Sequence, residues 1–174
     1  MKHSIKITII LISMFLLTQV IGLFVINFYE HSGNELPYGM EPPADINPQT
    51  SIFSILFAFA LAITLFFVLT RIKAEKFIRL WFFVVTIIAM GLTINAFSLF
   101  LFKNPPNPYE YISILTLIIT VPLAYIKIFK RNILVHNLTE LIIYPGIAAV
   151  FVPILNVLGI IILLLAISLY DIWA

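Results

Sequence analysis

The sequence predicts an all-α fold, a polytopic membrane protein with six transmembrane helices. Three observations lead there. Of 174 residues, 62% are hydrophobic and 10% charged, with a mean hydropathy of +1.12; a water-soluble domain has about 45–50% apolar and about 25% charged residues. The apolar residues fall in runs of about twenty, the length that crosses about 30 Å of hydrocarbon at 1.5 Å per helical residue. The basic residues sit in short clusters between these runs, as orientation signals do. The chain has no cysteine, which excludes a disulfide framework, a thiolate metal site and a catalytic thiol. Its net charge of +2 is confined to the basic clusters, so no nucleic-acid surface is expected.

Lys2 and Lys6 precede the first run, residues 7–29. They resemble the start of a signal peptide, but the apolar part is too long for one and no small-residue cleavage site follows. An uncleaved signal-anchor helix is expected. Within it Gly22 would allow close helix contact and Gln19 a buried polar one. Residues 30–50 hold four acids (Glu30, Glu35, Glu41, Asp45), four prolines (Pro37, Pro42, Pro43, Pro48) and no Lys or Arg. Such a stretch cannot continue a helix and reads as an extracytoplasmic loop. It is either a solvated connector or a cover over the membrane mouth that touches substrate, with Tyr38 and Met40 as apolar anchors.

The second span covers residues 52–70 and ends in a basic turn of Arg71, Lys73, Lys76 and Arg79, broken by Glu75. The third covers 80–102 and includes Gly91 and Asn95; a proline-rich turn over 103–110 leads to the fourth, 111–126. Pro122 removes one backbone hydrogen bond there and should kink the helix, which neighbouring helices tolerate in a membrane. Lys127, Lys130 and Arg131 close that span. Pro145-Gly146 interrupts the next run. A helix stopping at Tyr144 would have twelve residues, too few to cross, so residues 133–152 are taken as one kinked span with a turn near Pro153. The sixth span is 154–174, and residues 1–174 form a single transmembrane domain.

Placing the N-terminus and the two basic turns on one side puts nine of the ten Lys and Arg there, with Lys103 alone opposite. By the positive-inside rule that side is cytoplasmic. Six spans return the C-terminus to it, in a multi-pass protein of the cell membrane. Residues 154–170 carry no charge, and Tyr170-Asp171 then stands near the cytoplasmic end of the sixth span. Three readings of Asp171 follow: a helix-end charge, a proton or ion site, or one carboxylate of an intramembrane protease.

Other constellations are missing. His3, His31 and His136 are too far apart in the topology to hold a metal, and no His-Glu-x-x-His, Gly-x-Ser-x-Gly or glycine-rich phosphate loop occurs. No metal and no cofactor is implied. Asn137-Leu138-Thr139 fits a glycosylation sequon but lies at the cytoplasmic start of a span. His136 and Glu140, one helical turn apart, are expected to pair. Glu140 would lie about 10 Å into the helix, deep enough to be an intramembrane polar contact or a proton-relay group.

Six spans with the N-terminus inside, and Tyr170-Asp171 near the inner end of the sixth, resemble the presenilin and signal peptide peptidase family, its short archaeal members in particular. The resemblance implies a presenilin-like fold lacking its last three spans. It implies that Asp171 is one of two catalytic aspartates, supported by Tyr170. The family's second aspartate belongs to a Gly-x-Gly-Asp motif on the seventh span, and a Pro-Ala-Leu motif on the ninth supports the site. Gly-x-Gly-Asp does not occur in this sequence, and Pro43-Ala44-Asp45 is not Pro-Ala-Leu. The chain is therefore expected to be the N-terminal part of the enzyme and inactive alone. Its expected partners are transmembrane substrate helices, the spans bearing the second aspartate, and the lipid bilayer. Helical geometry puts Ile160, Leu164, Ile167 and Ser168 on the face of position 171. The alternative is a non-enzymatic six-helix permease or scaffold with Asp171 and Glu140 as proton or packing residues.

The orientation is checked with single cysteines at Asp45 and Lys73. An impermeant thiol reagent added outside should label the first and not the second, and equal labelling of both would overturn the topology.

Overall fold

The computed structural model describes residues 5–31, 36–40, 48–102, 108–130, 132–153, 155 and 157–173. His3, Glu35, Glu41, Asp45, Lys103 and Arg131 lie outside the described residues. All regular structure among the described residues is helical: α1 (Ile5–His31), α2 (Pro48–Arg71), α3 (Glu75–Leu101), α4 (Pro108–Tyr125), α5 (Ile133–Phe151) and α6 (Val157–Trp173). A 3₁₀ turn occupies Pro37–Gly39, and a π-helical turn, Ile126–Lys130, continues α4. A helix stands at each of the six expected positions. Four are long and apolar enough to cross a membrane: Ile7–Glu30, Glu75–Leu101, Tyr111–Lys130 and Ile133–Phe151. The other two hold shorter apolar stretches, Leu56–Arg71 and Val157–Leu169.

Local chemistry explains most boundaries. Asn132 caps α5, its side-chain oxygen accepting from the N–H groups of Leu134 at 3.0 Å and Val135 at 3.4 Å, so two of the unpaired donors at the helix start are satisfied. The basic turn expected over 71–79 is shorter than that. It is a Schellman closure in which Ala74 N–H donates to the Leu69 carbonyl and Lys73 N–H to that of Thr70. Lys73 takes the left-handed position, φ 55°, that glycine usually fills. The third helix begins at Glu75, which suits the positive end of its dipole. Lys76 and Arg79 are thus helical residues, not turn residues.

The chain divides into two compact units, Met1–Glu41 with Arg79–Ala149, and Pro42–Ile78 with Val150–Ala174. In the first, side-chain contacts fix the helix directions. Phe83 meets Phe129 at 5.8 Å, and Ala89 and Met90 share a cluster with Ala124, so α3 and α4 are antiparallel. Met14–Gln19 of α1 face Glu140–Tyr144 of α5, and Val25 clusters with Ala149, so α1 and α5 run the same way. The C-terminal half of α3 is the hub: Ala89, Met90, Gly91, Leu92, Thr93, Asn95 and Ala96 are all buried. Burial around nearly the whole circumference places a helix inside a bundle.

The helix α5 continues through Pro145-Gly146 to Phe151, as the length criterion required. Its crossing with α3 is very close. A Cβ on Gly146 would stand 1.8 Å from the Ala89 carbonyl oxygen. Beside it, Thr93 Oγ1 donates to the Ile142 carbonyl at 2.7 Å, the kind of neighbouring-helix bond that supports backbone loosened by a proline. Gly22, by contrast, has nothing within 4 Å of its Cβ position, so the expected close approach does not occur there. Gln19 is exposed rather than buried.

Of the two expected loop anchors, Tyr38 is clearly one. Its ring reaches Gly91 of α3, while Met40 is half-buried. Burial pushes the Tyr38 phenol above its ordinary pKa, against the opposing effect of a neighbouring Thr120.

The second unit contains α2 and α6. Their large apolar side chains are open, among them Phe53, Phe57 and Leu61 on α2 and Leu164, Leu165 and Leu169 on α6.

Gly146→Ala should lower the unfolding free energy in detergent by about 1–3 kcal/mol through overpacking against backbone that cannot move aside. Gly22→Ala should be neutral or slightly stabilising. Equal effects of the two would contradict the crossing.

Candidate functional site

Charged side chains within the apolar bundle converge where α4 passes into α5. Lys127 lies in the π-helical turn, a local widening that is often found at functional positions. Its ammonium reaches across the hairpin to Glu140, Nζ to Oε1 2.5 Å, and donates to His136 Nδ1 at 3.3 Å. The other ring nitrogen, Nε2, faces Glu140 Oε1 at 3.6 Å. The expected His136–Glu140 pair is therefore present but secondary, and Lys127 is the closer partner. The Lys127 and Glu140 side chains are 12% and 25% exposed. A half-buried pair of this kind carries some desolvation cost, which the close contact offsets.

Sequence reasoning read Lys127 only as an orientation signal and so missed it. The available clue was its place just before the turn, opposite an acid just after it. In an antiparallel hairpin those positions come level.

Glu140 also borders a cleft of about 410 Å³ between α1 and α5. Met14, Phe15, Leu141 and Tyr144 give it apolar walls, and Thr18, Gln19 and Glu140 supply its polar groups. Thr18 is committed to the Met14 carbonyl of its own helix at 2.8 Å. Among the described residues no three His, Asp or Glu side chains gather closely enough to hold a metal.

Tyr170 and Asp171 fall in the last turn of α6; their side chains lie outside the described residues. Around them Leu169 and Ile172 are exposed, and Ile160 and Leu164, on the face of position 171, are exposed as well. This helix end is therefore an apolar surface rather than a filled core. Glu140 and Asp171 belong to different compact units.

A family model described as "Signal-peptide peptidase, presenilin aspartyl protease" matches residues 12–174. The chain belongs to this signal peptide peptidase and presenilin family. No curated protein and no solved structure matches it. The family match runs through α1, α3, α4 and α5 and reaches the end of α6. Lys127, His136, Glu140 and the Tyr170-Asp171 pair all lie inside it. Membership and the apolar helices make this a membrane protein related to the aspartyl intramembrane proteases.

The Lys127–Glu140 pair is tested by a double-mutant cycle. Lys127→Met or Glu140→Gln alone should each cost about 2–3 kcal/mol of stability, the partial exposure lowering the usual penalty for an orphaned buried charge. The double variant should cost less than the sum by about 1–2 kcal/mol. Additive losses would show that the two side chains act independently.

Proposed function

We propose that this chain provides one catalytic carboxylate, Asp171, of an intramembrane aspartic endopeptidase that cleaves transmembrane segments. The observation that carries the reading is the family match, which extends through the Tyr170-Asp171 pair at the end of the sixth helix. Six spans with both termini cytoplasmic complete it: α2 and α6 join the four longer helices as crossings, and Asp171 lies near the inner face.

The chemistry requires a second acid. Two carboxyl groups a few ångström apart do not both ionise, so they share one proton. The ionised member takes a proton from water, and the hydroxide equivalent adds to the scissile carbonyl. The protonated member donates to the carbonyl oxygen, giving a neutral gem-diol. The acid that now holds the proton gives it to the amide nitrogen while the other takes one from a gem-diol hydroxyl. The C–N bond breaks, carboxylic acid and amine leave, and the two acids end with one proton between them, as they began. Asp171 needs a partner in a Gly-x-Gly-Asp motif on further spans, and Tyr170 supports it. An apolar surround disfavours the charged form of an acid and so assists proton sharing.

Glu140 has a different role in this reading. Lys127 neutralises it, and a closed ion pair suits fastening of the α4–α5 hairpin better than proton transfer.

The decisive measurement is single-turnover cleavage of a transmembrane substrate by the chain combined with spans bearing the second aspartate. Asp171→Asn should reduce the rate by about 10³-fold or more, the scale of losing a group that acts in a catalytic unit, and leave folding intact. Glu140→Gln should stay within about tenfold of the parent, since it touches no reacting atom. The 174 residues alone should leave the substrate uncut. Activity of Asp171→Asn within a few-fold of the parent would remove the protease assignment and favour a permease or scaffold.

A further inference from the structure

The segment between α1 and α2 places one residue in an unusual seat. Its 3₁₀ turn, Pro37–Gly39, is closed by Met40 N–H donating to the Pro37 carbonyl at 3.4 Å. In the middle, Tyr38 has φ 64° and ψ 25°. That left-handed region is uncommon for a bulky L-residue and costs free energy to hold.

The ring rests on Gly91 of the central helix. A Cβ there would come within 2.5 Å of Tyr38 Oη and 2.8 Å of Cε2. The absence of a side chain at position 91 is what makes room for the ring. Thr120 of α4, fully buried, adjoins the hydroxyl and acts on it as a hydrogen-bonding neighbour, though too poorly aligned for a bond of ordinary geometry. Yet Oη, itself buried, has no hydrogen-bond partner in bonding geometry. Pro37 is buried, and Leu36, Tyr38 and Met40 are half-buried.

These features pull in opposite directions. Partial burial of the ring and its fit over Gly91 hold Pro37–Gly39 down. The strained backbone and the unpaired hydroxyl both favour its release, since a buried hydroxyl without a partner forfeits its hydration. A purely structural anchor would be tighter with Phe in place of Tyr. We propose that the Gly91 niche is a binding site for an aromatic ring, occupied in cis by Tyr38 as a releasable latch. The described residues Leu36–Met40 then exchange between latched and released states, and the emptied niche accepts a small free phenol. This reading does not depend on the role of Asp171, because none of its tests measures peptide hydrolysis.

The test uses the full cysteine-free chain carrying Met40→Cys, purified in detergent, and the rate at which a soluble maleimide reacts. Release exposes position 40, so the rate reports the latch equilibrium. Tyr38→Ala and Gly91→Ala should each raise the rate by about tenfold or more, the first by deleting the ring and the second by evicting it. In Gly91→Ala the added methyl meets the far end of a loop side chain, so the bundle is expected to stay folded. Tyr38→Phe should slow labelling several-fold by removing the unpaired hydroxyl. Separately, p-cresol should raise the melting temperature of Tyr38→Ala and leave that of the parent unchanged.

Rates within twofold of the parent for both alanine variants would overturn the latch, as would faster labelling of Tyr38→Phe. If Gly91→Ala does not fold, the two substitutions at Tyr38, a loop position, decide the matter. Failure of p-cresol to stabilise Tyr38→Ala would overturn the ring site.

Discussion

Hydrocarbon offers no hydrogen bonds, and the described bundle is organised around that constraint. Every polar group within it must find a partner in protein. Thr18, Thr64, Thr116 and Thr139 donate back to carbonyls of their own helices at 2.7–2.8 Å. Thr93 donates across to the α5 backbone, and Tyr29 to the Leu92 carbonyl and the Asn95 side chain. Side chains satisfied in this way can lie at the centre of the bundle, and Thr93, Asn95, Thr116, Thr120 and Thr139 are nearly or fully buried. Without a hydrophobic force drawing helices together in lipid, cohesion comes from close packing and such bonds. The contact of Gly146 with the α3 backbone provides the closest packing.

The same constraint accounts for the ion pair. A lone lysine or glutamate in this apolar setting would be costly, and each supplies the neutralising charge for the other. The pair closes the α4–α5 hairpin with a part-buried bond, and Asn132 fixes where α5 begins. The result is a frame of α1, α3, α4 and α5 whose polar groups are largely committed. Among the described residues Tyr38 is an exception, its buried hydroxyl lacking a bond of good geometry on a strained backbone, and for that reason it reads as a movable part.

The proposed catalytic residue lies on a different kind of element. α6 has mostly open apolar side chains, and position 171 comes at its end. In the proposed reading Asp171 shares its proton with an acid from another helix. Division of labour follows from the chemistry, because one carboxylate cannot serve at once as base and as acid.

Much of this was legible in the sequence, because membrane helices are written in composition. Long apolar runs, basic clusters and turn prolines located all six helices, and the length needed to cross the bilayer carried α5 through Pro145. Tyr170-Asp171 pointed to the family that the chain proved to match. What the sequence could not convey was which small and charged residues meet. Gly22 and Gly146 look alike in a string, yet only Gly146 faces a backbone carbonyl. Lys127 looked like a charge at the membrane surface until the hairpin brought it level with Glu140. Gly91 showed no purpose until a tyrosine more than fifty residues earlier came to rest on it. Run length and charge are properties of a segment and survive without its neighbours. Close approach and pairing depend on the rotation and register of two helices, which only their packing together decides.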